Sequence, residues 1–141
     1  MKTKKYLLLY YIVISSFYCN SQTYTRCDVS LYPWKGKTKY PISKSDFHLY
    51  VDYNVRFSEK KIMTKLNELI KTLEPIVKND TIVKNIRVLW VLKMGSISDT
   101  LYLGKNGVIE FKSKYYCFNK ELIDLSLVKM RNEQKLEYSF P

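Results

Sequence analysis

Few side chains in this sequence are equipped for chemistry. Among 141 residues there are three cysteines (Cys19, Cys27 and Cys117), one histidine (His48) and 13 acidic residues. A zinc-type site needs His, Cys or carboxylates clustered at ligand spacing. A single histidine and widely separated cysteines do not make such a set, so no metal and no other cofactor is expected. A Cys–His nucleophile pair needs a free thiol in a recognisable setting, and neither Cys27 nor Cys117 has one. Glycosidase-type chemistry needs two carboxylates facing one cleft. Most of the acids stand beside lysines, and no pair is singled out. The segment "GKNG" lacks the length and the terminal Lys-Ser/Thr of a phosphate-binding loop. The sequence singles out no catalytic residue.

One stretch has the makings of a binding surface. In "LYPWKGKTKYP", Tyr32, Trp34 and Tyr40 alternate with Lys35, Lys37 and Lys39 between Pro33 and Pro41. Aromatics with neighbouring cations on a stiffened loop stack on sugars or anchor a protein partner. The plainer alternative tucks Trp34 and Tyr32 into a sheet edge and leaves the lysines in water. A second candidate surface is the polar side of the segment 47–57, with His48, Tyr50, Asp52, Asn54 and Arg56.

The cysteines are bounded by the front of the chain. "MKTKK" precedes an apolar run of 13 residues, Tyr6 to Tyr18. A bilayer-crossing helix needs roughly 20 such residues. A basic start, a short apolar run and then small polar residues is the layout of a secretory signal peptide. Cleavage after Ser21 would leave Gln22 first, giving a leader at 1–21 and a single domain at 22–141. The competing cut precedes Cys19 and would attach a lipid anchor there, although Tyr18 is large for that position. Either route leaves Cys27 and Cys117 as a lone pair in an oxidising compartment, periplasmic or extracellular, where a disulfide is expected. It would close a loop of 90 residues, a constraint of about 4–5 kcal/mol in chain-entropy terms. Two buried reduced thiols are the alternative.

The net charge of +11 raises the question of nucleic acid. Only four residues are arginine (Arg26, Arg56, Arg87 and Arg131) and there is no alanine, which looks like the codon bias of an A+T-rich genome. Charge acquired that way is dispersed, and arginine, suited to phosphate and guanine, is not enriched. No nucleic-acid partner is expected. The expected partner is a protein or cell-envelope component.

The elements that must position these residues follow from periodicity. "FHLYVDYNVRF" alternates apolar and polar side chains over residues 47–57 and predicts a strand. "SEKKIMTKLNELIKTLE" predicts a helix from Ser58 to Leu73, capped by Ser58, with Ile62, Leu66, Leu69, Ile70 and Leu73 on one stripe and Pro75 beyond its end. Phe47, Leu49, Val51, Val55 and Phe57 should be buried with Leu66, Leu69 and Leu73. "TIVKNIRVLWVLKMG" predicts a central strand, apolar on both sides. Two short strands around Gly104–Gly107 and one more after a turn at Lys112–Ser113 complete a meander. Asn119 caps a C-terminal helix, an optional strand lies near Arg26–Tyr32, and the tail from Arg131 is expected to be loosely held. The order β-α-β-β-β-β, then α, describes an α+β fold: one mostly antiparallel sheet of about five strands with a helix on one face. It supports a secreted, non-catalytic binding module, with a small carboxylate hydrolase as the alternative.

Overall fold

The computed structural model of the protein describes residues 23–77 and 82–138. The basic and apolar leader, Cys19 and both expected cleavage points lie outside the described residues. Among the described residues no helix is long and apolar enough to cross a membrane.

The elements are β1 (Arg26–Leu31), a 3-10 turn (Phe47–Leu49), β2 (Tyr53–Phe57), α1 (Lys60–Lys71), β3 (Ile86–Met94), β4 (Ile97–Gly104), β5 (Val108–Phe111), β6 (Lys114–Cys117), α2 (Lys120–Ser126) and α3 (Asn132–Tyr138). The six strands form one sheet in the order β2-β1-β3-β4-β5-β6, with every neighbouring pair antiparallel. The fold is the expected α+β sandwich. Its sixth strand is β1, the optional one, which lies inside the sheet rather than at its margin.

Alternation along each strand gives the sheet two unlike faces. On one side Val29, Phe57, Trp90, Leu92, Leu101, Leu103 and Ile109 are buried. They pack with Met63, Leu66 and Leu69 of α1, Leu122 and Ile123 of α2, and Leu127, Met130 and Tyr138 beyond it in one cluster. Two polar ties fix the helices to this core. The Trp90 indole N–H donates to Ser126 Oγ at 2.6 Å, and that hydroxyl donates to the Leu122 carbonyl. Asn67, buried on α1, accepts from Tyr24 N–H at 2.8 Å and donates back to the Tyr24 carbonyl at 2.9 Å. The Asn67 amide thereby acts as a strand partner for the residue that leads into β1.

Several local expectations are corrected. The alternating segment 47–57 becomes a strand only from Tyr53. Residues 47–49 turn instead, with Leu49 and Tyr50 N–H groups donating to the Asp46 and Phe47 carbonyls. The reason is the partner. Leu31 pairs with Tyr53, so a longer strand would have to pair with Tyr32–Lys37, where Pro33 has no N–H to give. Phe47 is therefore buried in a second, small cluster with Ile42 and Ile86, and Leu49 is 71% exposed. Helix α1 starts at Lys60 with Glu59 at its cap position, and the Ser58 N–H donates to Glu59 Oε2. Asn119 caps α2 as expected, accepting from Leu122 N–H at 3.0 Å. The described part of the tail is docked: Tyr138 of α3 is buried and its hydroxyl donates to Asp52.

Both sheet edges are engaged. Beside β6, Cys117 N–H donates to the Glu74 carbonyl and Ile76 N–H to the Tyr115 carbonyl. At β2 the Lys129 ammonium donates to the Arg56 carbonyl at 2.8 Å, pairs with Glu59 at 2.5 Å and sits over the Phe57 ring. A lysine at a sheet edge also discourages pairing with another chain.

The expected disulfide does not form: Cys27 and Cys117 are both free. Cys27 lies on β1 and Cys117 on β6, four strand steps apart in the sheet order. Strand spacing puts them on the order of 19 Å apart, against a Cα separation of about 4.4–6.8 Å in a disulfide. Their side chains also point to opposite faces, since Cys27 is in the core with Val29 while Cys117 is exposed. Burial, with the Asp28 charge beside it, pushes the Cys27 thiol up to about 12, so it carries little thiolate near neutrality. In the folded protein Cys117 should react promptly with a maleimide, and Cys27 only after denaturant is added. Peptide mapping of the labelled protein checks this, and a Cys27–Cys117 cross-linked peptide would refute the sheet order.

The β5–β6 hairpin turns through Lys112 and Ser113, both with positive φ (50° and 59°). Tight hairpins need this geometry, which glycine and asparagine adopt readily and other residues do not. By contrast the β3–β4 turn has Gly95 at its left-handed position (φ 58°). A left-handed conformation costs an L-residue about 1–2 kcal/mol, and glycine's extra chain entropy returns about 0.5–1 kcal/mol of that. Ser113→Gly should raise stability by roughly 0.5–1 kcal/mol, measured as an increased urea midpoint with an unchanged slope.

Candidate functional site

The helix-free face of the sheet is where chemistry-bearing side chains converge. The segment between β1 and β2 crosses one end of it, and Ile42 and Phe47 pack there on Ile86, with Tyr32, Val51, Leu89 and Tyr102 against them. The remainder of the face is open and polar, built from three neighbouring strands. Ladder register sets Asp28 of β1 directly across from Arg56 of β2, and Arg26 of β1 across from Lys93 of β3.

Three cations thus gather around one carboxylate. Arg56 Nε donates to Asp28 Oδ1 at 2.5 Å, Arg26 Nη2 lies 3.4 Å from Oδ2, and Lys93 Nζ lies 3.8 Å from Oδ2. Partial burial pushes the Asp28 carboxyl up. The Arg56 hydrogen bond and the charges of Arg56, Arg26 and Lys93 outweigh it and hold the group below its ordinary value. Next to the cluster Ser30 donates to Asn54 Oδ1 at 2.6 Å. A shallow hollow of about 360 Å³ lies here, lined by Asp28, Val29, Asn54, Val55 and Arg56. The cluster carries two more positive charges than negative, on a face that no helix covers.

A second hollow, of about 340 Å³, lies farther along the sheet, with Lys44, Asp99, Tyr102, Glu110 and Lys112 in its lining. Two acids line it, but they stand on opposite faces of the sheet: Asp99 is the register partner of the core residue Leu92, whereas Glu110 pairs with Tyr102 on the helix-free face. Each is already engaged: Glu110 by Lys44 at 2.5 Å, and Asp99 by Lys112 at 3.2 Å and by the Tyr24 hydroxyl at 2.6 Å. Lys44 also sits over the Tyr102 ring, so that aromatic face is occupied.

The loop singled out in the sequence is divided by the fold. Trp34 is 4% exposed and belongs to the main core, so it offers no face to a partner. Tyr32 is half-buried, edge-on to Tyr50 and stacked under Arg87. Lys35, Lys37, Lys39 and Tyr40 are exposed. Of the second candidate set, Asn54 and Arg56 stand on the open sheet face, whereas His48 and Tyr50 belong to the 3-10 turn and its end, and Asp52 is engaged by Tyr138. Sequence reasoning missed Arg26, Asp28 and Lys93. Alternation with the buried Cys27, Val29 and Leu92 was the available signal, but only the strand order brings these three residues together. Among the described residues no group of three or more His, Cys, Asp or Glu is gathered to hold a metal.

The chain matches no known family, and no curated protein or solved structure matches it.

The charge arrangement has a measurable acid signature. Glu59, bonded by Lys129 and by backbone N–H groups of Ser58 and Glu59, is held at about 2 rather than its ordinary 4.5, and Asp28 is also held low. Between the folded and unfolded values the unfolded chain binds more protons, so stability falls as pH falls. The Glu59 contribution is complete above 4.5 and lost as pH drops toward about 2. Urea midpoints should decline across that window, and less steeply in the double variant Asp28→Asn, Glu59→Gln. An equally steep decline in that variant would show that other groups govern the acid limb.

Proposed function

We propose that the chain is an exported, non-catalytic binding module that docks an acidic segment of a protein or cell-envelope component on its helix-free sheet face. The observation that carries this reading is the Asp28 cluster. One carboxylate would be balanced by one cation, yet three strands deliver Arg26, Arg56 and Lys93 to it. The surplus is spread over a flat, half-exposed surface, where an acidic partner gains charge-assisted hydrogen bonds and a faster encounter. Arginine is also among the residues enriched at protein interfaces. Export rests on the layout of Met1–Ser21 alone, because Cys27 and Cys117 add no disulfide to support it. The hydrolase alternative would need Asp99 and Glu110, which line one hollow but point to opposite faces of the sheet. It is weaker because both acids are held by lysines.

Photocrosslinking in the producing cell tests the reading. A photoreactive residue placed at Asn54 or Thr100 should yield a discrete adduct, whereas one placed at Lys61 or Lys71, exposed on α1, should not. Reversing charge with Arg56→Glu and Lys93→Glu should reduce the adduct at least tenfold. Adducts from the α1 positions only, or adducts indifferent to charge reversal, would overturn it.

A further inference from the structure

The side chain least explained by the fold is Arg87. It lies at a bulge in β3, between Ile86 and Val88, and is 1% exposed. Its guanidinium makes one hydrogen bond, from Nη2 to the Gly36 carbonyl at 3.1 Å, and its Cζ lies 4.8 Å from the centre of the Tyr32 ring. Nε and Nη1 have no hydrogen-bond partner although both are buried. Among the described residues no carboxylate lies within ion-pairing distance of it. Burial of a full charge without a counter-charge is among the least favourable arrangements in a protein interior, and buried arginines are ordinarily paired.

The segment that meets the Arg87 guanidinium is itself basic. The roof is the segment Pro33–Tyr40. Trp34 anchors one part of it in the core, and Gly36 N–H donates to the Pro33 carbonyl. The Tyr32 hydroxyl reaches the Lys37 carbonyl at 3.4 Å, a long contact. Gly36 is needed for the close approach, since a Cβ there would stand 2.5 Å from the Tyr32 ring. Lys35, Lys37 and Lys39 project from the roof into solvent. A buried guanidinium with two unpartnered donors thus lies beneath a short segment carrying three ammonium groups.

We infer that Arg87 forms the floor of an oxyanion site roofed by Pro33–Tyr40, which takes a carboxylate or phosphoryl group when the roof lifts at Gly36. The guanidinium is the side chain suited to such groups, being always charged and rich in fixed donors. An oxyanion at Nη1 supplies both the missing counter-charge and an acceptor for an orphaned donor. Tyr32 keeps one face of the guanidinium plane, so the ligand meets its rim. The roof lysines raise the local concentration of anions at the entrance. This site is independent of the Asp28 cluster.

Thermal unfolding of the protein in chloride, phosphate and acetate at matched ionic strength tests the inference. Phosphate or acetate should raise the midpoint saturably beyond chloride. A peptide with a free C-terminal carboxylate compared with its amidated form tells a chain-terminal carboxylate from a phosphoryl group, according to which ligand binds more tightly. Arg87→Met removes the buried charge at similar volume, so it should fold and should bind the oxyanion at least tenfold more weakly. Lys35→Gln with Lys37→Gln should weaken binding several-fold and flatten its salt dependence. Should Arg87→Met fail to fold, an NMR titration of the wild-type protein decides: phosphate or acetate should shift the Arg87 guanidinium and Gly36 amide signals. No gain beyond chloride, an undiminished gain in Arg87→Met, or a titration without shifts at Arg87 and Gly36 would overturn the proposal.

Discussion

The rest of the molecule depends on β1 being threaded between β2 and β3. A strand paired on both sides must be complete in its backbone donors and straight over the whole ladder. Arg26–Leu31 meets that demand for six residues, and Pro33 ends it. At the other end the ladder would stop at Thr25, which donates to the Lys93 carbonyl, with Tyr24 facing α1. There Asn67 closes both Tyr24 backbone groups, which otherwise would be buried and unpaired. Leu31 and Tyr53 are register partners at the same end of β1 and β2, and the chain joins them by a long excursion rather than a tight hairpin. It crosses one end of the sheet's second face on the way. That crossing makes the small Ile42–Phe47–Ile86 cluster and roofs Arg87, while leaving the Asp28 region open.

This explains which parts of the fold were legible in the sequence. Helix α1 with its buried Leu66 and Leu69, Leu73 just beyond its end, the central strand around Trp90, the turns at Gly104–Gly107 and Lys112–Ser113, and the Asn119 cap all depend on local periodicity or on capping chemistry, and local signals carry them. Strand length does not depend on local pattern alone. Residues 47–52 alternate as well as residues 53–57 do, but only the latter find a partner. The disulfide expectation failed for the same reason. The expected compartment and the cysteine count pointed to a Cys27–Cys117 pair, but strand order is a non-local property that neither contains. The candidate site was half legible. Asn54 and Arg56 were singled out on a polar face, while Arg26, Asp28 and Lys93 become neighbours only through the β2-β1-β3 order.

Charge is held differently on the open face of the sheet and at its β2 edge. On the open face ionic groups are shared and wet. Asp28 is satisfied several times over, and Arg56 is raised by its hydrogen bond to Asp28. Exposed pairs of this kind contribute about 0–1 kcal/mol each to stability, so the cluster is better understood as a surface potential than as a staple. Lys129 works differently. It combines a backbone carbonyl, Glu59 and the Phe57 ring at a sheet edge, tying the C-terminal block to β2 and to the start of α1.

Arg87 stands at the opposite limit from Arg56. Burial pulls its guanidinium below the ordinary value, a direction that follows from the lost hydration of the cation. Charges about a Debye length apart, about 8 Å at physiological salt, are largely screened when exposed and much less so when buried. A ligand on the open face should therefore feel added salt strongly, because its partners are Arg26, Arg56 and Lys93 in water. An anion held by Arg87 would feel salt mainly on entry, through Lys35, Lys37 and Lys39, and much less once the roof closes over it. Salt dependence of association separated from that of dissociation thus distinguishes the two surfaces without any substitution. The wet cluster suits a broad acidic partner that comes and goes, and the dry guanidinium suits one small anionic group held singly.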